Sequence, residues 1–238
     1  MQSALHLIYP SQCISCRDLV EGDNALCGKC WRDTPFISGL VCDKCGTPLP
    51  GDDTGESILC DDCMTIARPW SKGRAAILYS KNGRKLVLAF KHGDRLDLAA
   101  PAGHWLAQAV APILCENMLI APVPLHWMRM LKRRYNQSAL LATSLAKCAK
   151  QSACLDLLTR TKRTRSLDGL GREARFHMLT DSIKINHRRK HRLIGRSILL
   201  VDDVMTSGAT LAACTEACLA GGAKEVFTVT LARVAKDV

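Results

Sequence analysis

The chain has 238 residues, of which 47% are hydrophobic, and a formal net charge of +11. This length accommodates one medium-sized domain and a second, small one. No apolar run approaches the roughly 18 residues that a transmembrane helix needs, and the N-terminus lacks the pattern of a secretory signal. The sequence therefore argues against a membrane-spanning or exported protein and predicts a cytoplasmic one.

The positive charge is concentrated in the middle of the chain. Residues 64–158 hold 14 basic and 4 acidic side chains, and residues 159–196 hold 12 and 3, whereas residues 1–63 hold 4 and 10. Such a concentration of basic side chains favours a polyanionic partner, either a phosphate-rich small molecule or a nucleic acid.

Eight of the 13 cysteines form four CxxC pairs near the N-terminus, at Cys13/Cys16, Cys27/Cys30, Cys42/Cys45 and Cys60/Cys63. Two CxxC turns complete the tetrahedral four-thiolate site that zinc prefers, and disulfides are rare in a reducing compartment. Residues 1–68 are therefore predicted to be a small domain organised by two structural Zn²⁺ ions. The spacing allows either sequential or interleaved pairing of the turns, and an iron–sulfur cluster uses the same ligands.

Strand-like and helix-like segments alternate after residue 70. Strands are predicted at 75–80, 117–125, 154–160, 197–203 and 225–234, and helices at 82–93, 97–110, 136–151 and 209–222. Asn136 can cap a helix start, and the glycines at 221 and 222 can end a helix. The alternation predicts an α/β domain over 69–238, with a mostly parallel sheet covered by helices on both faces.

Two adjacent acidic residues stand inside the segment ILLVDDVMTSGATL (198–211). Because Asp202 and Asp203 follow a run of apolar residues, they are predicted to lie at the carboxyl end of a buried strand, where open α/β sheets bind ligands. Hydroxyl groups and the N–H groups of a helix start follow them, which is typical of a phosphate site. The predicted phosphate cradle consists of Thr206, Ser207, Gly208, Ala209 and Thr210. Carboxylates that accept hydrogen bonds from ribose hydroxyls, next to such a cradle, predict a sugar-phosphate ligand.

The same segment resembles the phosphoribosyl pyrophosphate (PRPP) motif of type I phosphoribosyltransferases. PVPL (122–125), RRYNQS (133–138) and the four CxxC pairs extend the resemblance to the ComF family and to nearly the whole chain. It implies a type I phosphoribosyltransferase-like fold with a five-stranded parallel core, preceded by a double zinc ribbon. It also implies PRPP bound with Mg²⁺, with Asp202 and Asp203 on the ribose and residues 206–210 on the 5′-phosphate. A link to DNA uptake or use in natural transformation follows from the same resemblance.

Basic side chains are the candidates for the catalytic, pyrophosphate-facing side of such a site, because cations and Mg²⁺ neutralise a leaving pyrophosphate. These candidates are Lys91, Arg134, Arg163 and Arg175. The basic stretch 160–192 fits three interpretations: a solvated mobile loop, a loop that covers the pyrophosphate, and a contact with DNA phosphates.

The chain differs from the family pattern at Arg134, Leu167 and Met178, where family members usually carry glycine, glutamine and asparagine. These differences affect catalysis more than PRPP binding, and no residue identifies an acceptor. Two hypotheses remain. Either the protein is an enzyme, namely a Mg²⁺-dependent phosphoribosyltransferase or a PRPP hydrolase, or it is a non-catalytic, PRPP-responsive module that binds single-stranded DNA or a competence protein.

Overall fold

The computed structural model describes residues 10–53, 55–125, 135–161 and 182–235. These residues form seven strands: β1 (Gly73–Leu78), β2 (Leu119–Pro122), β3 (Ser152–Ala153), β4 (Leu158–Arg160), β5 (Ile183–Ile185), β6 (Ser197–Met205) and β7 (Glu225–Arg233). Five of them make one sheet in the order β1-β7-β6-β2-β3, and every neighbouring pair is parallel. The predicted α/β fold with a parallel central sheet is confirmed.

The described part of the chain also holds six α-helices: α1 (Gly28–Asp33), α2 (Asp61–Thr65), α3 (Lys81–His92), α4 (Ala99–Val110), α5 (Gln137–Ala149) and α6 (Ala209–Ala220). Asn136 caps α5 as predicted, because its side chain accepts a hydrogen bond of 3.1 Å from the backbone N–H of Ser138. The end of α6 is followed by Gly222, whose φ of 103° favours glycine.

The prediction of a single strand at 154–160 was wrong. The chain leaves the central sheet after β3, turns at residues 155–156, and forms β4, which pairs antiparallel with β5. The turn is held by Asp156, whose backbone carbonyl accepts a 3.0 Å hydrogen bond from Asn186. Strand β5 was not predicted, because three residues inside a polar stretch are too short to show an alternating pattern.

Both faces of the central sheet are buried. Leu199 and Val201 of β6 pack with α4 and α5 on one face, while Ile198 and Leu200 pack with α6 on the other. Successive side chains of a strand point to opposite faces, so an unbroken apolar run is what a sheet covered on both sides requires.

The cysteine-rich region packs directly onto the α/β part. Ile14 belongs to the core cluster on one face of the sheet, and Cys42, Cys45 and Cys63 belong to the cluster on the other. Within the described residues, no helix is both long enough and apolar enough to cross a bilayer.

Candidate functional site

A cleft of about 420 Å³ opens at the carboxyl ends of β2 and β6, where the sequence predicted a site. The cleft is formed by the residues that follow β2, by the last part of β6, by the C-terminal end of α3 and by the N-terminal end of α5. Its described polar and charged lining residues are Tyr79, Lys91, His92, Asn136, Gln137, Ser138, Arg160, Asp202, Asp203, Thr206 and Thr210.

The two predicted ribose-binding acids stand side by side on β6, and each has its own partner. Oδ1 of Asp202 accepts hydrogen bonds from Oγ of Ser138 and from the backbone N–H of Asp203, both at 2.9 Å. Oδ1 of Asp203 lies 3.0 Å from Nζ of Lys91. Two neighbouring carboxylates repel each other, and these contacts offset that repulsion.

The pKa of the Asp202 carboxyl is raised towards neutral pH. Burial raises the pKa of Asp202 to about 7, and the charge of Asp203 adds to this rise. The hydrogen bond from Ser138 and the charge of Lys91 act in the opposite direction. Near pH 7 the Asp202 carboxyl can therefore accept a hydrogen bond from a ligand hydroxyl or donate one to it.

The YNQS segment, Tyr135 to Ser138, ties three elements together around the cleft. The hydroxyl of Tyr135 donates to the carbonyl of Phe90 at 3.3 Å, and the amide of Gln137 donates to the carbonyl of Lys91 at 3.3 Å. The amide of Asn136 donates to the carbonyl of Val123 at 3.2 Å.

Three residues of this segment line the cleft, yet the sequence analysis did not include them among the site residues. The motif that carried the family resemblance was the signal that could have found them.

The predicted phosphate cradle is a tight turn between β6 and α6. Gly208 has a φ of 80°, which a residue with a side chain rarely adopts, and α6 begins at the next residue, Ala209. Thr206 and Thr210 line the cleft, while Ser207, Gly208 and Ala209 complete the turn. A helix start directs its first backbone N–H groups outward, which suits a phosphate, and here the N–H of Ala209 donates to Oγ of Ser207 at 3.4 Å.

Two buried arginines hold the carbonyl groups of this turn. Nη1 of Arg233, at the end of β7, donates to the carbonyl oxygens of Met205 at 3.2 Å and Thr206 at 3.0 Å. Nη1 of Arg68 donates to the carbonyl oxygen of Ser207. The sequence analysis missed both arginines, because nothing in their local sequence distinguishes them from surface basic residues.

The eight N-terminal cysteines form two separate tetrads, and in each one the four sulfur atoms lie within 4.8 Å of one another. The first tetrad is Cys13, Cys16, Cys27 and Cys30, and the second is Cys42, Cys45, Cys60 and Cys63. One sulfur pair in each tetrad is 3.6 Å apart, close to the roughly 3.8 Å expected in a tetrahedron with zinc–sulfur bonds of about 2.3 Å. The tetrads are consistent with two zinc sites, and the pairing is sequential rather than interleaved.

Of the four candidates for the pyrophosphate side, Lys91 lies in the cleft. Arg134, Arg163 and Arg175 lie outside the described residues, as do Leu167 and Met178. From the predicted basic stretch, Arg160 lines the cleft, whereas residues 187–191 are exposed and lie in the segment between β5 and β6.

Comparison with known proteins extends this picture. Residues 4–64 match the family model described as a double zinc ribbon domain, and residues 106–238 match the model described as a phosphoribosyl transferase domain.

Two relatives match along nearly their whole length. The "DNA utilization protein YhgH" of Escherichia coli (strain K12) is 28% identical over 233 residues, covering 95% of this chain and 99% of that protein. "Competence protein F" of Haemophilus influenzae is 27% identical over 228 residues, covering 93% and 96%. A solved structure described as the allosteric regulatory enzyme of purine biosynthesis is 14% identical, covers 60% of this chain and 30% of its own, and has a TM-score of 0.41.

Proposed function

Because the chain belongs to the phosphoribosyl transferase domain family, whose model matches residues 106–238, we propose that it binds PRPP with Mg²⁺ in the cleft at the end of β6. A double zinc ribbon precedes this domain, and relatives include a competence protein F, in agreement with the resemblance to the ComF family. In this proposal Asp202 and Asp203 contact the ribose hydroxyls, and residues 206–210 hold the 5′-phosphate.

The observation that carries the proposal is the order of groups along the end of β6. The acid pair comes first, and the turn at Gly208 and the start of α6 follow within a few residues. Ribose hydroxyls are hydrogen-bond donors and suit carboxylates, whereas a phosphate suits the N–H groups and hydroxyls of the turn. The hydroxyl groups and the phosphate of a sugar phosphate would therefore each meet suitable protein groups at neighbouring positions.

The pyrophosphate of PRPP carries several negative charges, which the cleft must neutralise. Lys91 supplies one cation in the described part of the cleft, and without a ligand it forms an ion pair with Asp203. Carboxylate oxygens on the cleft wall suit a hard divalent cation. Mg²⁺ bound with PRPP would offset the charge of the pyrophosphate.

If the protein is an enzyme, it transfers a phosphoribosyl group. The bond between the anomeric carbon and the pyrophosphate oxygen breaks, pyrophosphate leaves with the bonding electrons, and a nucleophilic atom of the acceptor bonds to that carbon and loses its proton. Asp202 lies beside the proposed ribose-binding position. Because its pKa is about 7, part of the population is ionised near pH 7 and is suited to receive the acceptor's proton.

Calorimetric titration with Mg²⁺–PRPP, followed by a pyrophosphate assay on the same samples, tests the proposal. Wild-type protein should bind, and Asp203→Asn should bind at least roughly tenfold more weakly, because a carboxylate acceptor is lost beside the ribose. Glu216→Gln, which removes an exposed carboxylate from α6, is the matched control. Wild-type protein that shows no heat of binding would contradict PRPP binding. Binding without release of pyrophosphate from PRPP, with any acceptor tested, would leave only the non-catalytic function.

A second candidate function is binding of single-stranded DNA by a PRPP-responsive module. Residues 187–192, which form an exposed basic corner, favour this function. They comprise two histidines and four basic side chains. One of these, Arg189, pairs with Asp156 at 2.9 Å. The relative named for DNA utilization points in the same direction. This corner belongs to the segment between β5 and β6 and does not line the cleft, so both ligands could bind together.

Binding of a labelled single-stranded oligonucleotide over a range of salt concentrations tests this function. Replacing Arg188, Lys190 and Arg192 by glutamine should weaken binding and reduce the salt slope by roughly 2, since each phosphate contact on a single strand contributes about 0.7. Replacing the exposed Lys81, Arg84 and Lys85 of α3 by glutamine removes the same charge elsewhere. Equal effects of the two triple variants would show that only net charge matters.

A further inference from the structure

The two cysteine tetrads have different neighbours in the fold. The first tetrad lies near the start of α3, where Oγ of Ser15 donates to the side-chain oxygen of Asn82 at 2.6 Å. Three cysteines of the second tetrad instead belong to the core cluster that contains Met205 and Leu211, on either side of the turn at Gly208. The second tetrad therefore packs into the same core as the proposed phosphate-binding turn.

Arg68 connects the segment behind the second tetrad to that turn. It follows α2 by three residues and the last cysteine of the tetrad, Cys63, by five. Its guanidinium donates from Nη1 to the carbonyl oxygen of Ser207. One buried side chain on the segment that leaves the tetrad thus contacts the proposed phosphate-binding turn.

Trp70 makes a second connection. It is fully buried, its indole N–H donates to the carbonyl of Lys44 inside the CDKC turn, and Nζ of Lys44 donates back to the Trp70 carbonyl at 2.6 Å. The guanidinium of Arg68 lies 5.4 Å from the centre of the Trp70 ring. A methyl group added at Gly208 would come within 2.7 Å of Arg68 and 3.1 Å of Trp70, so the turn rests against both side chains.

Charge gives a physical reason for this arrangement. Arg68 and Arg233 are both buried, and a buried guanidinium is stable only next to a compensating negative charge. Four thiolates with one Zn²⁺ carry a net charge of about −2. Trp70 belongs to the same core cluster as Cys42, Cys45 and Cys63, and Arg68 lies against its ring. A zinc-loaded second tetrad would therefore supply compensating negative charge close to Arg68.

We propose that the second tetrad, when it holds zinc, fixes the conformation of the phosphate-binding turn through Arg68 and Trp70, and that the first tetrad does not. Arg68 is thus a positioning residue for the 5′-phosphate site. This inference rests on the proposed function only in so far as the turn binds the phosphate of PRPP. The contacts that fix the turn exist with or without that ligand.

Arg68→Gln tests the connection without removing a zinc ligand. The variant should keep two zinc ions per chain, exchange the backbone amides of residues 205–211 faster, and bind Mg²⁺–PRPP roughly tenfold more weakly, because a charged hydrogen bond to the turn is lost. Arg95→Gln is the matched control, since Arg95 pairs with Asp97 at 2.6 Å and donates to the carbonyl of Ile14, beside the first tetrad. Unchanged amide exchange in Arg68→Gln, or equal acceleration in both variants, would overturn the proposal.

Cys16→Ser and Cys60→Ser compare the two tetrads, since each replaces a half-buried cysteine of one tetrad. Each variant should lose about one zinc ion, but only Cys60→Ser should accelerate amide exchange at residues 205–211 and weaken PRPP binding. Equal effects on the turn would overturn the asymmetry. If Cys60→Ser unfolds as a whole, Arg68→Gln decides alone. If wild-type protein does not bind PRPP, the proposed function fails, while the exchange measurements still decide this inference.

Discussion

Nζ of Lys91 lies 3.0 Å from Oδ1 of Asp203, which joins the last turn of α3 to the carboxyl end of β6. The neighbouring Asp202 is held by Ser138 from the start of α5. Each carboxylate of the pair is therefore positioned by a different helix. The positive charge of Lys91 thus lies beside the two acids in the ligand-free cleft. A polyanionic ligand can replace Asp203 as the ion-pair partner of Lys91.

Lys91→Met should weaken the binding of Mg²⁺–PRPP by roughly tenfold or more, because it removes a cation from the pyrophosphate side of the cleft. It should also raise the pKa of Asp202 further, since the charge of Lys91 acts to lower it. Calorimetry measures the affinity, with Lys85→Met on the exposed face of the same helix as control. A variant that binds PRPP as tightly as wild type would remove Lys91 from the site.

Asp202 should make the ligand-free protein less stable as the pH rises towards 7. The unfolded-state pKa is 3.8 and the folded-state pKa is about 7, so the folded state keeps a proton that the unfolded state has lost between these values. The free energy of unfolding should then fall by roughly 1 kcal/mol per pH unit from pH 5.5 to 7 and level off above pH 7. Asp202→Asn should lack this component.

Denaturant titrations of both proteins at several pH values give the difference directly. Parallel pH profiles for wild type and Asp202→Asn would show that the carboxyl is already ionised at pH 5.5.

Gly208→Ala should destabilise the protein by about 2 kcal/mol and weaken PRPP binding. A side chain at φ 80° is strained, and the new methyl group would collide with Arg68 and with the methyl group of Met205, 2.8 Å away. Gly195→Ala separates these causes, because Gly195 has a similar φ of 68° with open space around its Cβ position. Thermal unfolding compares the two, and an equal loss in both would leave no contribution from the collision.

Cys42→Ser should release one zinc ion and make the second half of the ribbon region sensitive to protease, because three thiolates hold zinc more weakly than four. Metal analysis and limited proteolysis follow the two effects. Cys115→Ser, outside both tetrads, should keep two zinc ions per chain. A full zinc content in Cys42→Ser would contradict the assignment of the second tetrad.

Local sequence patterns predicted those strands and helices in which buried residues recur at a regular spacing. β6 was predicted because four successive apolar residues, 198–201, require burial on both faces, and α5 because Asn136 caps a helical pattern. The prediction for 154–160 failed because β3 already ends at Ala153, and a turn at residues 155–156 separates it from β4, which belongs to the other sheet. Pattern alone does not show where one short strand ends and the next begins.

The sequence by itself predicted the metal-ligand types, the acid pair and the proposed phosphate cradle, because these groups lie within a few residues of one another. Only the tertiary structure decided that the tetrads are sequential, that Lys91 and Ser138 hold the two acids, and that the cradle is supported by Arg233 and by Arg68, 139 residues before Ser207. The physical reason is that a buried cation is placed by the charges and carbonyl groups that folding brings around it. Those partners come from distant parts of the chain and leave no periodic signal in the sequence.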